Sequence, residues 1–117
     1  MSLKPLRLLH ETLRYSAERV PDKIAIISGQ DRISYAQLWQ YSVRLTHALK
    51  QIGVNRNDRV VIFLDNTWHD AVALYSTLLA DAVFVIVNPT TKAEKLAYIL
   101  NNCTATVLIA KSDLQRF

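Results

Sequence analysis

Apolar positions in the first third of the chain predict a helix followed by a β-hairpin. A stripe at intervals of three and four residues is typical of an amphipathic helix, and it must end before Pro21 because proline disfavours a helical conformation in the residue before it. The stripe contains Leu6, Leu9, Leu13, Ala17 and Val20. The apolar segment 24–27 predicts one strand, the sequence Gly29-Gln30-Asp31 favours a turn, and 32–34 is predicted to be the short returning strand of the hairpin.

A second helix is predicted to begin at Ser34. Ser34 and Gln37 have the spacing of a capping box, in which each side chain can bond to the backbone of the other residue. The predicted apolar stripe of this helix contains Leu38, Tyr41, Leu45, Leu49 and Ile52. Gly53 then stands where a left-handed C-terminal cap is favoured.

The rest of the chain alternates strands and helices. A continuous apolar segment at 59–64 predicts a strand that is covered on both faces. The segment 83–87 predicts a second buried strand, and 106–109 predicts one more strand. Between them, one helix is predicted after Thr67, with Asp70 in its first turn, and another over 92–102. The inward residues of these two helices would be Ala71, Val72, Tyr75, Leu78 and Leu79, and then Leu96, Ile99 and Leu100. The predicted class is α/β: a single unit over 1–117 with a mostly parallel sheet, flanking helices and right-handed crossovers, plus an N-terminal helix and a β-hairpin.

Ligands of parallel sheets bind at the carboxyl ends of the strands, which here lead into Asp65-Asn66, Asn88-Pro89 and Ala110-Lys111. Thr90-Thr91-Lys92 could be the end of a phosphate-binding loop or the start of a helix. A phosphate-binding loop needs glycines that let backbone N–H groups approach the anion, but Gly29 and Gly53 lie elsewhere. We therefore expect Thr91 and Glu94 to cap the helix 92–102 after a turn fixed by Pro89.

Other reactive residues show no catalytic or zinc-binding pattern. His10, His47 and His69 are far apart, and Cys103 is the single cysteine. His69, with Asp65 and Asp70 nearby in sequence, is interpreted as a partly exposed residue of a helix's first turn, and Cys103 as a small packing residue. The segment 65–67 is interpreted first as a helix start and second as a ligand contact. Trp39 and Trp68 could lie in the core or contact a partner.

Charge and composition indicate an ordinary globular domain. The net charge is +4, but the 14 Lys and Arg residues are interspersed with 10 Asp and Glu residues, which disfavours nucleic-acid binding. The sequence shows neither a signal peptide nor a membrane span. A lone cysteine fits a reducing compartment, and we expect the cytoplasm.

Four segments of the chain resemble motifs in the N-terminal part of the adenylate-forming (AMP-binding) enzymes and occur in the same order as in that family. The resemblance extends from about Leu8 to Leu114. The four segments are PDKIAI from Pro21, ISYAQL from Ile33, the pair IGV and NDRV from Ile52 and Asn57, and LLADAVFVIVNPTTKAEKLAYIL from Leu78. The family usually has Gly where Asp81 stands and often Pro where Ile86 stands, which leaves the detail of that turn open. Asn88-Pro89 and Cys103 favour the acyl-CoA synthetase or fatty-acid CoA ligase type over peptide-synthetase adenylation domains.

The resemblance implies a reaction for a parent enzyme. A carboxylate attacks the α-phosphate of ATP with Mg²⁺, and a thiol such as that of coenzyme A then displaces AMP. The family's catalytic motifs lie beyond Phe117, so we expect no catalytic, cofactor-binding or metal-binding residue in this chain and no activity from it alone. Its expected partners are the rest of the parent polypeptide and, through the parent, a small carboxylic acid.

The last residues bear on an alternative to this reading. Ser112 and Gln115 have a further capping-box spacing, so a helix is predicted to begin there and to be cut short, which suggests truncation. The alternative is a natural short protein that kept the fold as a binding or assembly module and would associate with itself through an open sheet edge.

Overall fold

The structure, a computed structural model, describes residues 9–65 and 67–110, and these form the predicted sequence of elements. The elements are α1 (Leu9–Arg19), β1 (Ile24–Ser28), β2 (Asp31–Ser34), α2 (Tyr35–Gln51), β3 (Arg59–Phe63), α3 (Trp68–Leu79), β4 (Val83–Ile86), α4 (Ala93–Asn102) and β5 (Ala105–Ala110). The predictions made for Leu6, Asn66, Lys111 and the helix at Ser112 lie outside the described residues.

The strands form two sheets. β1 and β2 are the antiparallel hairpin, and β3, β4 and β5 form a parallel sheet in the order β4-β3-β5. The predicted α/β class is thereby confirmed. Because β3 lies in the centre, Val60, Val61 and Ile62 are at most 1% exposed.

The prediction that 83–87 is a buried strand is wrong for β4. Val83 is 46% exposed and Ile86 is 59% exposed. The order of the strands explains the difference, since β4 pairs with β3 on one side and forms an edge of the described sheet. An apolar segment indicates a buried strand but does not give its position in the sheet.

Helices cover both faces of the parallel sheet because consecutive side chains of β3 point to opposite faces. Val60 packs in a cluster with Leu49 of α2, and Ile62 packs with Ala73 of α3. On the other face, Leu96 of α4 packs in a cluster with Val61 and Phe63. α2 and α3 therefore form one layer and α4 the other.

α1 and the hairpin pack against α2 and α3 through a cluster formed by Leu13, Ile33, Leu38 and Val72. The apolar stripe predicted along α1 is only partly buried. Leu13 is buried, whereas Leu9 is 51% exposed and Val20 is 39% exposed. α1 ends at Arg19, as the prediction of an end before Pro21 requires, so Val20 lies beyond the helix.

α2 begins and ends as the sequence predicts, apart from its last apolar residue. The capping box is present, with the Gln37 N–H donating to Ser34 Oγ and the Ser34 N–H donating to Gln37 Oε1. Gly53 has a φ of 101° and turns the chain, so that Val54 is buried and donates its N–H to the Leu49 carbonyl at 3.0 Å. Ile52, predicted to lie on the buried stripe, is instead 65% exposed at the C-cap.

The turns that enter the parallel sheet contain non-glycine residues with left-handed backbone. Asn57, Asp81 and Thr104 have φ values of 68°, 59° and 55° and stand just before β3, β4 and β5. Two of these turns are joined, since the Asn57 N–H donates to the Asp81 carbonyl at 2.9 Å and the Val83 N–H donates to the Asp58 carbonyl at 2.8 Å. Asp81 therefore adopts a conformation that glycine would adopt without steric cost.

Candidate functional site

The carboxyl ends of the three parallel strands lie side by side. Phe63 of β3 is in register with Ala110 of β5, and the Val87 N–H donates to the Ile62 carbonyl at 3.0 Å. The described parts of the predicted loops therefore meet at one edge of the sheet, where Asp65 and Asn88 are both exposed. This edge is the first candidate site.

The loop after β4 is a turn organised by Asn88. Its Oδ1 accepts hydrogen bonds from the Thr90 N–H at 2.9 Å and from Thr90 Oγ1 at 2.8 Å. The Thr91 N–H donates to the Asn88 carbonyl at 3.0 Å, which closes the turn. A side chain that bonds to the backbone two residues later is typical of such turns.

The predicted cap of α4 by Thr91 and Glu94 is wrong. Lys92 occupies the N-cap position and makes no side-chain cap hydrogen bond. The turn at Asn88 shifts the helix start to Ala93, so Thr91 lies one residue too early to cap it.

The geometry of this loop agrees with a structural turn rather than a phosphate-binding loop. Residues 88–92 contain no positive φ, and anion-binding nests alternate right-handed and left-handed residues to converge their N–H groups. A shallow cavity of about 430 Å³ lies beside the loop. Its lining combines two lysines with an acid and is formed by Asn88, Thr90, Thr91, Lys92, Glu94 and Lys95.

The polar residues after β3 begin a helix, as predicted. Thr67 is the N-cap of α3, and its Oγ1 accepts a hydrogen bond from the His69 N–H at 3.3 Å. The same Oγ1 lies 3.0 Å from His69 Nδ1. His69 is exposed and stacks on Trp68 with a centroid separation of 3.8 Å, so its described contacts belong to the helix start.

Both tryptophans are half-buried, which supports the interpretation as packing residues and leaves part of each side chain accessible. Trp39 and Trp68 pack against the cluster containing Leu13 and Val72. Trp68 Nε1 also donates to Asp31 Oδ2 at 3.3 Å, which ties α3 to the hairpin.

A groove of about 600 Å³ lies between β1 and the start of α3 and was not predicted from the sequence. It is lined by Ile26, Ile27, Ser28, Gly29, Thr67, Trp68, Asp70 and Ala71. Its two walls are about forty residues apart along the chain. Neither wall contains a sequence motif that predicts contact with the other wall. The sequence therefore offered no signal for this groove.

The remaining reactive residues have structural surroundings. Across residues 9–65 and 67–110, no three His, Cys, Asp or Glu side chains are placed so that they could hold a metal ion. His47 is exposed on α2, and Cys103 is half-buried against the cluster of Phe63 and Leu96, in agreement with a packing role. Burial raises the pKa of the Tyr75 hydroxyl, and nearby Tyr35 raises this pKa further. Within the same described ranges, every helix is too short or too polar to cross a membrane.

A parallel sheet covered by helices on both faces, with loops gathered at the carboxyl edge, defines an α/β protein, and ligands of such proteins commonly bind at that edge. Residues 13–116 match the family of AMP-binding enzymes, and the chain belongs to this family. The resemblance to adenylate-forming enzymes drawn from the motifs is confirmed at this level.

Three known proteins illustrate the relationship. Phosphinothricin tripeptide synthetase PhsC from Streptomyces viridochromogenes is 35% identical over 108 residues, which are 92% of this chain and 10% of PhsC. The N-terminal subdomain of NpsA from Klebsiella oxytoca superposes with a TM-score of 0.84 at 22% identity, covering 94% of this chain and 29% of that one. O-succinylbenzoate coenzyme A synthetase (MenE) from Bacillus subtilis, in complex with AMP, superposes with a TM-score of 0.82 at 22% identity. That superposition covers 89% of this chain and 27% of the MenE chain.

The two structural comparisons show the shared fold. This chain spans a tenth or less of the length of the curated relatives that it matches. The match therefore concerns one part of much longer proteins.

Proposed function

We propose that residues 1–117 form the opening portion of the N-terminal domain of an adenylate-forming ligase and provide its framework rather than its catalytic groups. The observation that supports this most directly is the family match over residues 13–116, within a chain that spans so small a share of its relatives. The side chains at the strand ends support the proposal. Thr67 and Asn88 accept hydrogen bonds from backbone N–H groups two residues later in the chain, which is a structural role.

The complete protein would join a carboxylate to the α-phosphate of ATP in the presence of Mg²⁺ and release pyrophosphate. Placing the groups for this reaction elsewhere in the parent is supported by the backbone after β4, where residues 88–92 contain no left-handed residue that could form a phosphate nest. We place the ATP, Mg²⁺ and thiol sites in other parts of the parent, and the parent itself in the cytoplasm.

An amino acid is the substrate class that the relatives favour. PhsC is a tripeptide synthetase, and its identity with this chain is 35%. The acyl-CoA synthetase or fatty-acid CoA ligase type, favoured by Asn88-Pro89 and Cys103, is the second candidate, and the likeness of the fold to that of MenE, a coenzyme A synthetase, is compatible with it.

Carboxylate-dependent exchange between ATP and pyrophosphate tests the proposal. The purified 117-residue chain, checked for its fold by circular dichroism, should give exchange at the background level with amino acids and with simple carboxylic acids. The full-length product of the same gene is the matched control and should give exchange. Exchange by the 117-residue chain itself would overturn the assignment of a framework role.

Transfer of the acyl group distinguishes the two substrate classes. With the full-length protein, amino-acid adenylation followed by loading of a carrier-protein thiol supports the peptide-synthetase type. Formation of a free thioester with coenzyme A supports the CoA ligase type instead.

The alternative of a non-catalytic assembly module is favoured by the exposed edge of the described sheet, where Val83 and Ile86 are 46% and 59% exposed. Such edges can pair with a second chain. Sedimentation of the 117-residue chain would then show a dimer that Ile86→Lys dissociates. Tyr98→Lys, at a 67% exposed position on α4, is the control and should leave the dimer intact. A monomer at every concentration would contradict the module.

A further inference from the structure

We draw no further inference here: the strongest candidate, the groove of mixed polar and apolar lining between β1 and the start of α3 beside Ile27, Trp68 and Ala71, is an open surface, and nothing in residues 9–65 and 67–110 shows what covers it.

Discussion

Thr104 offers a direct test of backbone strain in this fold. It lies between the C-cap Cys103 and the start of β5, with a φ of 55° and an exposed side chain. A left-handed backbone costs an L-residue about 1–2 kcal/mol, and β-branched residues rarely adopt it. Glycine removes this cost. It also destabilises the folded state by about 0.5–1 kcal/mol, because its unfolded backbone has more conformational entropy to lose on folding.

The difference predicts that Thr104→Gly increases the free energy of unfolding by about 0.5–1 kcal/mol. Urea unfolding followed by tryptophan fluorescence measures this change, since Trp39 and Trp68 pack in a core cluster away from the substitution. With a urea slope of about 1.5 kcal/mol per M, the midpoint should rise by about 0.5 M at an unchanged slope.

Thr106→Gly is the matched control because it changes the same residue type at an exposed position inside β5. Glycine weakens a strand interior, so this variant should lose about 0.5–1 kcal/mol. Equal destabilisation by the two substitutions would refute the reasoning, because it would mean that the left-handed conformation at Thr104 stores no strain.

Three further predictions concern stability and use the same unfolding measurement. Asp81→Gly should increase the free energy of unfolding by about 0.5 kcal/mol or less, since Asp tolerates a left-handed backbone better than Thr. A clear decrease in this free energy would contradict the presence of strain at the Asp81 φ of 59°. Ser76→Val should cost about 2–3 kcal/mol, because Ser76 is 0% exposed and its hydroxyl shares one proton between the Val72 carbonyl of α3 and the Ser42 carbonyl of α2. Ser76→Ala should cost only about 1 kcal/mol, and equal costs would argue against tight α2–α3 packing. Tyr75 has a raised pKa in the folded chain. Its contribution to the free energy of unfolding is therefore fully present below the unfolded pKa of about 10 and is lost as the pH rises through the folded pKa. Tyr75→Phe should reduce the fall in stability between about pH 9 and 11, and an unchanged fall would count against burial of the hydroxyl.

Features that depend on near neighbours in the sequence could be predicted, and the capping box of α2 shows why. Ser34 and Gln37 are three residues apart, and their bonds need only the first turn of the helix. The same spacing at Thr91 and Glu94 misled, because the turn made by Asn88 and Thr90 determines where α4 begins. The spacing shows that a cap can form, and the preceding turn decides whether it does.

Features that depend on the arrangement of elements could not be predicted. The exposure of Ile86 follows from the place of β4 at the edge of the order β4-β3-β5, and apolar content does not encode this order. The groove beside Trp68 likewise needs the hairpin and α3 to pack together, as the bond from Trp68 to Asp31 shows. The class of enzyme could nevertheless be predicted from the sequence, because four motifs in a fixed order are a far more specific signal than any single motif.

The joined turns at the amino end of the sheet determine where this fold can accept extra residues. An insertion between Asn57 and Arg59, or between Asp81 and Val83, would separate the N–H and carbonyl groups that link the two turns at 2.9 and 2.8 Å. At the opposite edge, Asn88 bonds only to its near neighbours Thr90 and Thr91 in the described turn, so a longer loop there would leave the spacing of the strands unchanged. Variation in loop length should therefore be confined to the carboxyl edge, where a parallel sheet presents its ligand-binding loops.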